Sequence, residues 1–156
     1  MMMNPQRETT SPTILHSDVI ADRRSVFQGH VAPVTCLDDV RQVLKDLKKN
    51  KKILNAKHNT FAFRIEGPGG VVENYDDDGE AHAGSKILDL MFKMNARNVV
   101  VVVTRWFGGI QIGADRFRHY LAATQQALAL SNKLTCAGAV TEGKKSNKNK
   151  KCRKKK

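Results

Sequence analysis

Long apolar runs are missing from this chain of 156 residues. Nothing approaches the roughly 18 consecutive apolar residues of a membrane span. The start, Met1-Met2-Met3-Asn4-Pro5-Gln6-Arg7-Glu8, lacks the apolar centre of a secretory signal. Together these absences predict a soluble, cytosolic chain with no membrane contact. Cysteine is scarce as well. Cys36, Cys136 and Cys152 are odd in number and widely spaced, the last set among lysines. That excludes a disulfide framework or a C-x-x-C metal knuckle and predicts reduced thiols. No local signature ties His30, His58, His82 or His119 to Cys36 as the base of a nucleophile. Also absent are the lysine and hydroxyl of a G-x-x-x-x-G-K-[ST] phosphate loop, and Gly108-Gly109-x-x-x-Gly113 has the wrong spacing for a dinucleotide fingerprint. Generic anion binding by the backbone of that glycine loop stays open.

Acids are lacking at one end only. Residues 144–156 carry nine basic groups and no acid: Lys144, Lys145, Lys148, Lys150, Lys151, Arg153, Lys154, Lys155 and Lys156. The whole chain has 27 basic and 15 acidic side chains, so removing those nine leaves 18 against 15, a nearly balanced body at +3. A run of like charges with almost nothing apolar cannot offset its ordering entropy. The expectation is therefore a disordered lysine-rich tail over 133–156 that seeks polyanions such as RNA or the ribosome. Residues 1–17 mix Met, Thr, Ser, Pro and Gln without period and read as a disordered leader. Between them, 18–132 is one domain.

What the chain has in strength is valine. Val99 to Val103 form an unbroken β-branched run that suits a central strand covered on both faces. Thr104-Arg105-Trp106-Phe107-Gly108-Gly109 follow directly, placing a cation, two aromatics and a permissive backbone at the strand's carboxyl end. Upstream, Ser25 to Val34 reads as a first strand. Thr35 offers a helix cap, and Val40, Val43, Leu44 and Leu47 lie on one face of a helix over Leu37 to Lys48. Asn59 to Glu66 alternates Phe61, Phe63 and Ile65 with Thr60, Ala62 and Arg64, then turns at Pro68-Gly69-Gly70 into an antiparallel return over Val71 to Tyr75. Ile87, Leu88, Leu90, Met91 and Met94 mark a second helix. Asp115 to about Ser131 marks a third, with Phe117, Leu121, Thr124 and Leu128 as its buried stripe. The order is β-α-β-β-α-β-α: a four-stranded, mostly antiparallel or mixed sheet with packed helices, an α+β domain.

Three groups of residues invite chemistry. Asp76, Asp77, Asp78 and Glu80 could hold a hard cation. With His82 they would make a metal-dependent enzyme. The spacing is not that of a calcium loop, however, and acids with Gly79 ahead of a helix are what a tight turn and a helix amino terminus require. That reading takes precedence, and His82 beside Ala81, Ala83 and Gly84 reads as close helix–sheet packing. Lys48-Lys49-Asn50-Lys51-Lys52 reads as a solvated helix end rather than a phosphate contact. Arg105 and Trp106 read either as a charged and stacking surface for a partner protein or RNA base, or as caps on the core.

These blocks resemble the ancient domain of the IMPACT family, shared with bacterial YigZ-type proteins. The carriers run from Asp22-Arg23-Arg24-Ser25-Val26-Phe27 through His58 to Arg64, then Asp77-Asp78-Gly79-Glu80 with Ala83-Gly84, then Val101 to Gly113. The lysine-rich ending and the form of the acidic block are similar to the eukaryotic branch. The resemblance implies a fold like domain IV of elongation factor G: a four-stranded mixed sheet, helices packed on one face, and a left-handed β-α-β crossover. Arg24, Phe27, His58, Arg64, Asp77, Asp78, Gly79, Glu80 and Gly84 are its motif residues, and Arg105, Trp106, Phe107, Gly108, Gly109 and Gly113 are expected to form a partner-binding surface. It implies no enzymatic activity, cofactor or metal. It does imply translational regulation, through the activator of the general-control kinase and hence phosphorylation of initiation factor two, and links to ribosomes and actin. An alternative is an actin- or protein-binding module without RNA contact. Eukaryotic relatives usually carry an amino-terminal RWD domain, in whose place the reading finds only the leader. The bacterial branch has a ferredoxin-like domain where this chain has its basic tail.

Overall fold

The computed structural model describes residues 13–139. The lysine-rich segment 144–156 and most of the expected leader lie outside them. Ten elements follow one another: β1 (Leu15–His16), β2 (Ile20–Asp22), β3 (Ser25–Pro33), α1 (Leu37–Leu47), α2 (Lys51–Leu54), β4 (His58–Gly67), β5 (Gly70–Asp76), α3 (Ala83–Lys93), β6 (Val99–Trp106) and α4 (Asp115–Ala139). Among the described residues, no helix is long and apolar enough to cross a membrane.

The sheet runs β1-β3-β6-β4-β5, with β2 also on β3. The valine strand is central as expected, pairing Val26–Pro33 on one side and His58–Arg64 on the other. The α+β class holds, but three details differ: first, the sheet has six strands rather than four, because the short β1 and β2 both pair with β3. Every described pairing is antiparallel, so the sheet is not mixed. Helices also cover both faces. Val99, Val101 and Val103 join Phe27, Val31 and Ala62 beneath α3 and α4, while Val100 and Val102 join Ala32, Phe63 and Ile65 beneath α1 and α2. Five consecutive buried valines send side chains both ways, and a single helical layer would leave half of them wet.

Handedness follows from this arrangement. Strands β3 and β4 both run opposite to β6, so β3-α1-α2-β4 is a parallel crossover stepping over β6. By the same logic β5-α3-β6 steps over β4. The two steps are related by an in-plane rotation, yet their helices lie on opposite faces. The crossovers therefore have opposite hands, and one of them is left-handed against the usual preference.

Several boundaries depart from expectation. Strand β1 begins inside the segment read as a leader: Leu15 pairs with Val31, and the Ser17 amide donates to the Gly29 carbonyl at 2.8 Å. Thr35 is not the cap of α1. Cys36 takes that position, and the Thr35 amide and hydroxyl donate to Asp39 Oδ2 at 2.9 and 3.0 Å. Helix α4 runs on to Ala139, past the expected end near Ser131. Its buried face is Tyr120, Ala123, Thr124, Ala127 and Leu128, whereas Phe117 and Leu121 are only half-buried. Gly29 explains the shift, because a Cβ there would lie 2.6 Å from the Ala123 carbonyl oxygen. Small residues on both sides let the helix backbone rest directly on β3.

Candidate functional site

The acidic block after β5 folds into a scaffold for one buried carboxylate. Asp77 caps α3: its Oδ2 accepts from the His82 amide at 3.1 Å and its Oδ1 from the Gly84 amide at 2.7 Å. Gly84 lets helix and turn meet, since a Cβ there would lie 2.8 Å from that same Oδ1. Asp78 Oδ2 accepts from the Asn59 amide at 2.8 Å, tying the turn to β4. Gly79 has φ +88°, and a Cβ on it would press on the His58 ring at 3.2 Å, so both backbone and space require glycine. The acids thus act as turn and cap. Their side chains diverge, and among the described residues no three His, Cys, Asp or Glu side chains converge as a metal would need. His82, at the cap of α3 with φ 72°, is exposed rather than packed against the sheet.

Glu80, delivered by that turn, is only 6% exposed and is the hub of the site. Its Oε2 accepts from Arg105 Nη1 at 2.5 Å and from the Tyr120 hydroxyl at 2.9 Å, and its Oε1 accepts from Arg116 Nε at 2.9 Å. Burial pushes the Glu80 carboxyl up, but hydrogen bonds from Arg105 and Tyr120 outweigh it and hold the group below its ordinary range. Burial, and then the Glu80 charge, push the Tyr120 phenol up. Arg105 also donates to Ser25 Oγ at 3.1 Å, and its guanidinium lies between Phe27 and Phe107, 5.4 and 5.3 Å from the ring centres. Strands β3 and β6, helix α4 and the turn ahead of α3 therefore meet at one ion cluster.

Arg105 and Trp106 leave β6 on opposite faces, and neither presents its polar group to solvent. Arg105 is 4% exposed. The Trp106 indole donates to the Lys52 carbonyl at 2.8 Å, fastening α2 to the sheet. The surface they position is the loop beyond them, with Phe107 half-buried and Gly108, Gly109, Ile110, Gln111 and Gly113 exposed. Exposed Lys57 and half-buried Arg116 share a recess with Phe107, Gln111 and Gly113, and exposed Lys52 meets Trp106 through its carbonyl. Arg64 is remote from this end: buried, it donates to Glu73 Oε1 and to the Ala96 carbonyl at 2.8 and 2.9 Å. Arg24 stands in the β2–β3 turn with φ 72°, its carbonyl against Gly108.

Two networks escaped the sequence reading. Asp22 accepts from Arg23 Nη2 at 2.9 Å and contacts His119 Nε2 at 2.7 Å, and the same Arg23 nitrogen reaches Asp115 at 2.7 Å. Hydrogen bonds from Arg23 and His119 hold the Asp22 carboxyl well below its ordinary range. The second network is a buried chain. Asn59 Nδ2 donates to the Ile53 carbonyl at 2.9 Å, so Asn59 Oδ1 accepts the Thr104 hydroxyl at 2.7 Å. That leaves Thr104 to accept from His30 Nε2 at 2.9 Å, and His30 Nδ1 to accept from His16 Nδ1 at 2.8 Å. Burial, and then His16, push the His30 pKa down to about 3.

The missed partners of Arg105 left one trace in the sequence. A guanidinium at the end of a strand buried on both faces needs a buried anion, although the sequence does not say which of the acids in Asp76-Asp77-Asp78-Gly79-Glu80 supplies it.

Comparison with known proteins gives a consistent result. Residues 23–128 match the family model "Impact N-terminal domain". Protein IMPACT of Rattus norvegicus is 47% identical over 123 residues, covering 78% of this chain and 39% of that protein. The Protein IMPACT homolog of Schizosaccharomyces pombe is 43% identical over 134 residues, covering 85% and 48%. The chain thus spans less than half the length of these two relatives. Among solved structures, the two-domain translational regulator Yih1 superposes with TM-score 0.56 at 37% identity, covering 84% of this chain and 54% of that one. A crystal structure described as a hypothetical protein matches in fold, with TM-score 0.65 at 20% identity over 77% of this chain and 61% of that one. With the family model spanning most of the described residues and these relatives aligned along it, the chain belongs to the Impact family.

Proposed function

We propose that the chain is a non-enzymatic, cytoplasmic regulator of translation that modulates the general-control kinase pathway and so the phosphorylation of initiation factor two. The observation that carries this reading is the 37% identity to the translational regulator Yih1 across 84% of this chain. The contact surface is the loop 107–113 with Lys52, Lys57 and Arg116 near it at the end of β6. Arg105, Glu80 and Trp106 set its shape from within. The partner on this face is the kinase activator or another protein of the translation machinery, actin included, and the lysine-rich segment 144–156 supplies attraction to ribosomal RNA.

Expression in amino-acid-starved cells tests the reading. Phosphorylated initiation factor two, measured by immunoblot, should fall relative to cells carrying an empty vector; an unchanged level would count against kinase-pathway modulation. The RNA arm has its own readout. Nine phosphate contacts at a slope of roughly −0.7 each give a log K against log salt slope of about −6 for single strands. Deleting residues 144–156 should remove most of it. Retention of all partners after nuclease treatment, with an unchanged salt slope, would leave protein contacts alone.

A further inference from the structure

Beside the buried Glu80 lies a recess of about 220 Å³ lined by Lys57, His58, Glu80, Arg105, Phe107, Gln111, Gly113 and Arg116. We propose that this recess binds a phosphate-class dianion, the terminal phosphomonoester of a small metabolite. The recess opens within the proposed partner-contact surface, but the proposal rests on the recess's own charges and donors, not on that docking.

Charge is the first argument. Lys57, Arg105 and Arg116 face a single carboxylate, a surplus of two positive charges from the lysine and arginine side chains alone. Both oxygens of Glu80 already accept hydrogen bonds, Oε2 from Arg105 and Tyr120 and Oε1 from Arg116, so the carboxylate orients its guanidinium partners more than it repels a guest. The Lys57 ammonium has no carboxylate partner among the described residues; it lies 5.8 Å over the Phe107 ring.

Unused donors are the second. Arg105 Nε is the one buried side-chain nitrogen or oxygen among the described residues that lacks a hydrogen-bond partner. Its side chain is 5% exposed, so water does not readily compensate it. Arg116 directs Nε to Glu80 and Nη1 to the Gly113 carbonyl at 2.7 Å, which fixes its fork and leaves Nη2 available. His58 adds no free donor, since its Nδ1 is spent on the Asp78 carbonyl at 2.8 Å; that bond fixes the ring as one wall of the recess beside Glu80. Planar forks held by buried partners suit an oxyanion with several acceptor oxygens.

Size and valence select within that class. Drug-sized ligands occupy about 300–1,000 Å³, so this recess covers a head group and leaves its carrier outside. A phosphodiester brings one negative charge and a monoester close to two at neutral pH, which matches the surplus.

Titration of the full chain at constant ionic strength, followed by amide chemical shifts in two-dimensional NMR, tests the proposal. Inorganic phosphate, adenosine 5′-monophosphate and a dinucleotide without terminal phosphate are the probes. Saturable shifts at Lys57, Gln111 and Gly113 are expected with the first two. Tighter binding of the monophosphate would point to a phosphorylated metabolite as the source, and equal binding to free phosphate; either supports a monoanion-excluding site. Lys57→Gln and Gln111→Glu alter exposed side chains, so the dispersed spectrum should persist while affinity falls about tenfold for each. Shifts confined to residues 144–156, affinities unchanged in both variants, or preference for the dinucleotide would each overturn the proposal.

Discussion

Lowering the pH from about 8 to about 5 should destabilise this protein chiefly through one imidazole. His30 is 1% exposed, and its pKa is pushed down to about 3 from an ordinary 6.5. Its Nδ1 lone pair is occupied by His16 Nδ1–H and its Nε2–H by Thr104, so a second proton would have to displace the His16 donor. Because the folded pKa lies below the unfolded one, the stabilisation is complete above about pH 6.5 and is lost as the pH falls toward 3. At pH 5 an unfolded His30 is protonated and the folded one is not. The gap of about 1.5 pH units is worth about 2 kcal/mol, or about 4–8 °C in Tm for a chain of this size. Asp22 and Glu80 contribute little in that window, because both are held below ordinary carboxylate values of 3.8 and 4.5 and stay charged in both states. Urea denaturation of the wild type and of His30→Gln at both pH values isolates the effect, since glutamine can still donate to Thr104 but does not titrate. The wild type should lose about 2 kcal/mol more than the variant. A difference under about 0.5 kcal/mol would refute the reasoning.

Three further outcomes follow from the packing. Glu80→Ala leaves the Arg105 guanidinium buried without its anion and should cost about 3–5 kcal/mol, whereas Glu80→Leu combined with Arg105→Met should recover much of that in thermal melts; strictly additive losses would contradict the pairing. Gly29→Ala drives a methyl into the Ala123 carbonyl at 2.6 Å, backbone that cannot rotate away, and should cost about 1–3 kcal/mol in denaturant titrations. Trp106→Phe removes the indole donor to Lys52 and should cost about 1 kcal/mol, with faster amide exchange in α2 as the local sign; unchanged exchange there would mean that α2 is held by other contacts.

The elements legible in the sequence are those with a strong period. Alternation in Phe61, Phe63 and Ile65 and the turn at Pro68-Gly69 announced β4 and β5, and the valine run announced β6. Helices α1 and α3 came from their apolar stripes. Illegible pieces are short or depend on distant partners. The β2–β3 turn uses Arg23 and Arg24, both at positive φ (44° and 72°), where the usual signal is asparagine and glycine. Arg23's ion pairs to Asp22 and Asp115, 92 residues away, replace that signal with a tertiary one. Helix α2 is four residues long, too short for a period, and is defined by what the sheet donates to it: Trp106 to the Lys52 carbonyl and Asn59 to that of Ile53. Of the candidate site, the residues were legible but not their roles. Arg105 stood out as a cation ending an apolar strand, while its anchor, Glu80, lies 25 positions away and shares no pattern with it.

Strand β6 also bears on motion. It feeds alternate valines to both apolar clusters and then sends Arg105 to one and Trp106 to the other. Neither layer of helices can detach without disturbing a strand that the other layer also grips, so partial opening between the layers gains little. Backbone amides of Val100 to Val103 should then exchange with deuterium only when the whole described domain melts, and at a single common free energy.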